Sequence, residues 1–374
     1  MWPTLALLAW SCTGKVGGVD DDNDATGALD AGNGGNTGAR TGGQVAGGNG
    51  GGPSGGGGSN TGGAEAGGGI AGGGTAAGGA PVAAGGNTVE PTPSGKPVFV
   101  AVGYGGHRTR SLDGGLHWQD HVIDDPNGGD DKTLLRGVSY ANGIFVAVGD
   151  RILTSANGAQ WKQAAYAPPS FLNQACAVND VWAAAGGNGL RVRSSNKANT
   201  WEVSVSYLEG HFRGLACGNG RFVAVGHRNS TGMTSVSTDG IKWTEPSLNG
   251  NRLGRVAFGN GVFVAVGDGG RVATSTDGQV WTDITLGSAN RQMIAFSNGV
   301  FVTTEAGGFQ TSPDGKTWTR IASAGNFAAF AGAQGVWVGV LYPAIMYHGT
   351  ELAKLTLSES RPPAITQVTV GFVP

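Results

Sequence analysis

One phrase recurs between Ser111 and Trp318 with small edits, and it limits the fold more than any other feature. It reads Ser-x-Asp/Asn-Gly-x-x-Trp, and stands at Ser155 to Trp161, Ser237 to Trp243, Ser275 to Trp281 and Ser312 to Trp318. A decayed copy runs from Ser195 through Asn199 to Trp201, and a copy one residue longer runs from Ser111 through Asp113, Gly114 and Gly115 to Trp118. The tryptophans fall at 118, 161, 201, 243, 281 and 318, a period of 37 to 43 residues. A repeat of that length specifies a radial array or a solenoid, in which no unit can bury its apolar face alone.

A second phrase sits upstream of each tryptophan: Asn142-Gly143 before Phe145 to Gly149, Asn219-Gly220 before Phe222 to Gly226, Asn260-Gly261 before Phe263 to Gly267. Weaker copies stand at Asn298-Gly299, Gln334-Gly335 and Asn179-Asp180. Asn-Gly between short β-prone runs signals a tight hairpin, because both residues tolerate positive φ. One unit then reads as four strands: Arg136 to Tyr140, Phe145 to Val148, Arg151 to Thr154, and a fourth opened by Trp161. Four strands in about 40 residues, repeated, give an all-β chain built as a β-propeller. No part of the repeat region sustains a 3.6-residue apolar period, which sets helical repeats aside.

In the Ser-x-Asp-Gly turn the Asp or Asn side chain accepts from backbone amides one to two residues on, and the Gly supplies a conformation other residues resist. Ser closes the same turn, and Trp wedges between neighbouring units. The phrase resembles the Asp-box, or BNR repeat, of sialidases, sortilin-type receptors, some polysaccharide hydrolases and photosystem assembly factors. The resemblance covers nearly everything after Pro97. It implies the fold; the turn itself is structural, so it does not name a function.

Six tryptophan-marked units occupy Pro97 to about Arg320, and a seventh follows from Phe327, through Gln334-Gly335, Ile345 to Tyr347 and Leu352 to Leu357. The first unit begins at Val98, the place of a second strand, so its first strand is missing. The β-prone tail Ile365 to Phe372 can supply it, closing the ring and removing an exposed sheet edge. Seven blades are expected, with six or eight as the alternatives.

Ahead of the repeats lie two different segments. Met1 to Cys12 is a short apolar run that reads as a signal peptide. Ser11-Cys12 resembles the end of a bacterial lipobox, which implies lipidation of Cys12 and an extracytoplasmic, lipid-anchored protein; a plain secretory signal is the alternative. Residues 13–96 are dominated by Gly, Ala, Asn, Thr and Ser and hold too few large apolar side chains to offset ordering entropy. They are expected to form a disordered tether reaching roughly 50 Å.

Charge is balanced: residues 97–374 carry 21 Lys+Arg against 19 Asp+Glu. No basic patch suggests nucleic acid or a membrane surface, so a membrane is expected only through the lipid anchor. No Cys/His spacing suggests a metal, no phosphate loop suggests a cofactor, and a monomer is expected. Cys176 and Cys217 read as buried free thiols, since neither strand register nor spacing promises the approach a bridge needs.

The turns before strand one and between strands two and three share one face of such a ring; the Asn-Gly and Ser-x-Asp-Gly turns share the other. On the first face a spacing of 14 residues recurs in Arg136 and Asp150, Arg213 and His227, and Arg291 and Glu305. Arg255 and Asp268 are 13 apart, and Tyr104 holds the matching place in the first unit. One reading is a polar docking rim for a protein segment, a glycan or an anionic group. The other pairs each Arg with a carboxylate across a blade seam, so that it only stiffens the ring. Resemblance to sialidases implies three converging arginines, a Tyr-Glu pair and an acid/base Asp; no Tyr-Glu pair can be assigned here. A glycosidase needs two carboxylates facing one bond, and Glu305, Asp268 and Asp150 are the catalytic candidates, Glu305 first because it replaces the Gly of Val-Ala-Val-Gly. The expectation is a binding or scaffold module, with a surface glycoside hydrolase as the alternative.

Overall fold

The computed structural model describes residues 95–126, 133–205, 209–246, 249–305, 308–322, 327–341, 345–360 and 362–374. The signal segment, Cys12 and the glycine-rich tether up to residue 94 lie outside the described residues.

Seven antiparallel sheets follow one another along the chain and form a seven-bladed β-propeller. Blade 2 shows the pattern: Leu135–Ala141 on the inside, then Ile144–Gly149, Ile152–Ser155 and the short outer strand Lys162–Gln163. Blade 1 is assembled from both ends of the ring. The C-terminal strand Ile365–Val373 lies innermost against Lys96–Gly103, with Phe99 opposite Val370 and Ala101 opposite Val368. Its seam to blade 2 is tied by Tyr140, whose hydroxyl donates to the Phe372 carbonyl.

The core is divided into seven apolar seams between neighbouring blades. Each strand two contributes side chains to both its seams, because successive residues point to opposite faces. Val146 and Val148 face blade 3, packing with Trp182, Ala184 and Leu172. Phe145 and Ala147 face blade 1, packing with Val98, Val100 and Val102. The repeat tryptophans sit in the seam to the preceding blade: Trp118 against Val338 and Val340, Trp281 against Val223 and Val225, Trp318 against Val264 and Val266. The seam between blades 6 and 7 lacks such a tryptophan and is filled by Phe309, Phe327, Phe330 and Trp337.

The Ser-x-Asp-Gly turns close as expected, with the acceptor reaching one residue further than expected. Asp239 Oδ1 takes the amides of Ile241 and Lys242 at 2.8 and 2.9 Å, two and three residues on. Ser237 Oγ takes the Gly240 amide at 2.8 Å, and the Trp243 indole N–H donates to the Gly240 carbonyl at 3.1 Å. Gly278 shows why the glycine is needed twice over: its φ is +74°, and a Cβ there would meet Val223 of the preceding blade at 2.5 Å.

Two expectations about these turns change. The decayed third copy is the longer form in a different register: Asn196, not Asn199, takes the Thr200 amide at 2.9 Å, with Ser194 bonded to it. Lys197 and Ala198 adopt positive φ where the first copy has Gly114 and Gly115. The Asn of the Asn-Gly hairpins also does more than turn. Asn219 Nδ2 donates to the Gly261 and Thr276 carbonyls of the next blade at 3.1 and 3.0 Å. Asn260 does the same to Gly299 and Pro313 at 3.2 and 2.8 Å.

Blade 4 departs from the four-stranded expectation. Among the described residues its sheet holds His211–Gly218, Arg221–Arg228 and Thr231–Ser237, with the fourth strand represented by one bridge, Val236 to Thr244. In blade 5 Thr282, Asp283 and Ile284 continue the ladder from the same point. Pro246 occupies the place of Ile284 and has no N–H to donate, so pairing stops.

Cys176 and Cys217 are not free thiols: they form a disulfide, with Cα atoms 5.8 Å apart. Cys176 lies opposite Ala183 and Cys217 opposite Phe222, one position out of step between adjacent blades. Inner strands converge on the ring axis, which brings these two positions within reach although their repeat positions differ.

Candidate functional site at the inner mouth of the ring

The inner strands surround a central channel of about 370 Å³, lined among others by Ser139, Gln174, Cys176, Arg255, Phe258, Phe296, Phe330 and Gln367. At one mouth nearly every inner strand carries a β-bulge. The register slips between Leu135 and Gly137, Leu172 and Gln174, Phe212 and Gly214, Leu253 and Arg255, and Phe327 and Ala329. The bulged residues are therefore Arg136, Asn173, Arg213, Gly254 and Ala328. A bulge re-aims the extra side chain, and here it opens a place for polar groups above an apolar core. The glycine ending strand two is required by the same feature: a Cβ on Gly226 would run into the His211 carbonyl.

Only two of the arginines read from the sequence, Arg136 and Arg213, share an equivalent position. Arg255 lies one residue past its bulge, which accounts for its spacing of 13 instead of 14. Its Nη1 donates to the Arg213 carbonyl of the neighbouring blade and to Gly254 O at 3.2 Å. Burial, and then the charges of Arg213 and Arg136, push the Arg255 guanidinium down to about 10.

Arg291 is different again. Ile294 pairs with Thr303 as Val138 pairs with Ala147, so Arg291 falls where the other blades place Leu135, Leu172, Phe212 or Leu253. It is 2% exposed. Glu305 fills the place of the strand-ending glycine, and the two are an ion pair at 3.8 Å within one blade. Arg291 also donates to the Thr304 and Leu286 carbonyls at 3.1 and 2.6 Å, and Arg320 holds the other oxygen of Glu305. Glu305 is thus the anchor of a buried cation in the structure.

The idea that every arginine pairs with an acid across a seam does not hold. Among the described residues, Arg213 and Arg255 meet no carboxylate. Arg213 Nε instead donates to His227 Nε2 at 3.3 Å, while His227 Nδ1 donates to the Asn229 carbonyl at 3.1 Å. That pattern requires a neutral imidazole with Nε2 as acceptor. Burial, then Arg213 and Arg252, lower the His227 pKa to about 4.

Asp150 follows Gly149 and is exposed, and Asp268 opens the short turn Asp268–Gly270. Tyr104 opens the matching turn Tyr104–Gly106, its amide bonded to Ala364 O at 2.9 Å.

Two residues just upstream of the bulges, Phe171 and His211, also belong to this mouth and are not marked by the 14-residue spacing. The Arg136 guanidinium lies 4.4 Å from the centre of the Phe171 ring, which stacks nearly parallel with His211 at 6.1 Å and an interplanar angle of 4°. His211 meets His227 at 5.8 Å, and His227 accepts from Arg213. Arg136, Phe171, His211, His227 and Arg213 thus form a continuous ladder across blades 2, 3 and 4. Phe171 and His211 share one repeat position, two residues upstream of Arg136 and its equivalents Asn173 and Arg213. A face of stacked rings ending in guanidinium groups can take planar or acidic groups by stacking, cation–π contact and charge-assisted hydrogen bonds.

Among the described residues, no group of three or more His, Cys, Asp or Glu side chains is placed to hold a metal, and no helix is long and apolar enough to cross a membrane.

No family model matches the chain, and no curated protein does. Solved structures do. YCF48 bound to a D1 peptide is 18% identical, with a TM-score of 0.51 over 75% of this chain and 89% of that one. A selenomethionine-substituted virginiamycin B lyase from Staphylococcus aureus is 11% identical, with a TM-score of 0.52 over 60% and 83%. These likenesses establish the β-propeller fold. They leave the Asp-box resemblance without a matching family.

Proposed function

We propose that the chain is a binding or scaffold module, and that its inner-mouth face receives an extended segment of a protein partner. The ladder of Arg136, Phe171, His211, His227 and Arg213 carries the proposal, because it joins aromatic rings and two guanidinium groups across three blades. Such a surface suits a peptide offering carboxylates and flat side chains. A propeller of the same fold holds a D1 peptide in YCF48, which supports a protein partner over the carbohydrate alternative.

The location proposed is extracytoplasmic, by way of a lipid anchor on Cys12. The Cys176–Cys217 disulfide supports it, since such bonds persist mainly in oxidising compartments.

The test is capture from an envelope extract by the immobilised full-length chain, run beside Phe171→Ala, Arg213→Gln and, on the opposite face, Gln279→Ala. Phe171→Ala and Arg213→Gln should lose the captured protein, and Gln279→Ala should keep it. Loss with Gln279→Ala alone would move the site to the other face. A parallel glycan and hydrolysis screen addresses the glycoside hydrolase alternative, for which hydrolysis abolished by Glu305→Gln would be the decisive result.

A further inference from the structure

The inner strands place equivalent residues around the channel just inside the mouth: Gly137, Gln174, Gly214, Arg255, Ala329 and Gln367, each opposite the same position of its strand two. Arg255 is the one charge among these six. Space for it comes from blade 4, where Gly214 lies so close that a Cβ would meet the Arg255 Cα at 3.0 Å. Two of the Arg255 contacts are backbone carbonyls, both taken by Nη1. Arg213, on the adjoining bulge, is held at its Nε by His227, which directs its two terminal nitrogens away from that bond. Two guanidinium groups on neighbouring blades are thereby fixed at the same mouth. The uncharged His227 supplies no counter-charge, and no carboxylate among the described residues does.

Like charges held together in a partly dehydrated place oppose folding unless something neutralises them. The strand ladders fix both backbones, and the two guanidinium groups can move apart only by giving up the hydrogen bonds that hold them. Arginine's rigid fork of donors matches an oxygen anion better than a point cation does.

We propose that Arg213 and Arg255 together hold one oxyanion, of carboxylate or phosphate class, in the channel mouth. The anion bridges blades 4 and 5 and neutralises the pair. Gln174 and Gln367 lie at the equivalent positions of blades 3 and 1 and bound the same space with neutral amides. The anion can come free from solution or as an acidic side chain of a docked segment. The site stands whether or not the wider face receives a protein partner.

Thermal unfolding of the full-length chain decides the matter. Inorganic phosphate and acetate are titrated at fixed ionic strength, with chloride as the balancing salt. The melting temperature should climb with either anion and saturate at millimolar concentration, and Arg255→Gln and Arg213→Gln should each weaken the midpoint by about tenfold or more. Without added oxyanion, Arg255→Gln should melt at or above the unsubstituted chain, because a repulsion has been removed. Arg255→Lys, which keeps the charge but not the fork, should retain a smaller response and shows that the response depends on this group if Arg255→Gln folds poorly. A short polyglutamate peptide forms the second arm: binding of the peptide alone assigns the anion to a partner's side chain, and equal binding of acetate assigns it to solution. Responses equal in all variants, or none with any of the three probes, would overturn the site.

Discussion

His227 gives the most exacting test of the mouth geometry, because its protonation state is written into two hydrogen bonds. In the folded chain it must accept from Arg213 at Nε2, and its pKa lies at about 4 against 6.5 when unfolded. Between those values the unfolded chain binds more protons than the folded one, so stability falls as pH falls through this window. The contribution is complete above about pH 6.5. Linkage gives a loss of about 2 kcal/mol by pH 5 and about 3 kcal/mol below pH 4. Since His227 is 4% exposed, solvent screening takes little from that figure. The perturbation is His227→Gln, whose amide oxygen can still accept from Arg213 but does not titrate. Urea unfolding of both proteins from pH 7.5 to 4.5 should show the unsubstituted chain losing about 2–3 kcal/mol more than the variant. His107, also lowered by burial, titrates in both proteins and cancels in the difference. The turn carboxylates Asp239, Asp277 and Asp314 are depressed by their amide bonds and lose their contribution only below the ordinary carboxylate range. Parallel stability curves for the two proteins would refute the neutral-acceptor role of His227.

Other substitutions read the ring itself. Asp277→Ala removes the acceptor of the Gln279 and Val280 amides and should cost about 1–2 kcal/mol in chemical unfolding, as loss of a capping side chain does. Asn260→Asp keeps a residue tolerant of positive φ but sets a carboxylate against the Gly299 and Pro313 carbonyls. It should cost about 1–3 kcal/mol, whereas a pure turn role would leave stability nearly unchanged. Trp118→Ala, in the closing seam, should cost about 3–5 kcal/mol by thermal or urea unfolding. Reducing the Cys176–Cys217 bond opens a loop of 41 residues in sequence and should cost about 4 kcal/mol on the chain-entropy account, read as a lower melting temperature in reductant.

The ring was legible in the sequence because each blade repeats the same local chemistry. Asn-Gly turns, Ser-x-Asp-Gly turns and the alternation of Phe-Val-Ala-Val mark strands without reference to anything distant. Even the closing strand Ile365–Val373 could be placed, since a unit lacking strand one and a leftover β-prone tail imply each other. What escaped depends on relations between blades. The inter-blade donors of Asn219 and Asn260 look like turn residues alone, and the one-position offset of Cys176 and Cys217 hides their convergence. Counting 14 residues grouped Arg291 with Arg136 and Arg213, although a bulge and a late-starting strand put Arg291 in the core and Arg255 in the channel. Spacing along a chain does not register bulges, and at this mouth the bulges decide which side chain faces the channel. Phe171 and His211 stand two residues ahead of the bulge position, outside the 14-residue spacing that marks the arginines.

The proposed docking face is the inner mouth, and not the face of the Ser-x-Asp-Gly turns. Photo-crosslinking in intact cells tests this most directly, with a photoreactive residue at Phe171 in one strain and at Gln279 in another. A discrete crosslinked protein is expected from position 171, lost on adding Arg213→Gln, and no adduct from position 279. An adduct from 279 with none from 171 would contradict it.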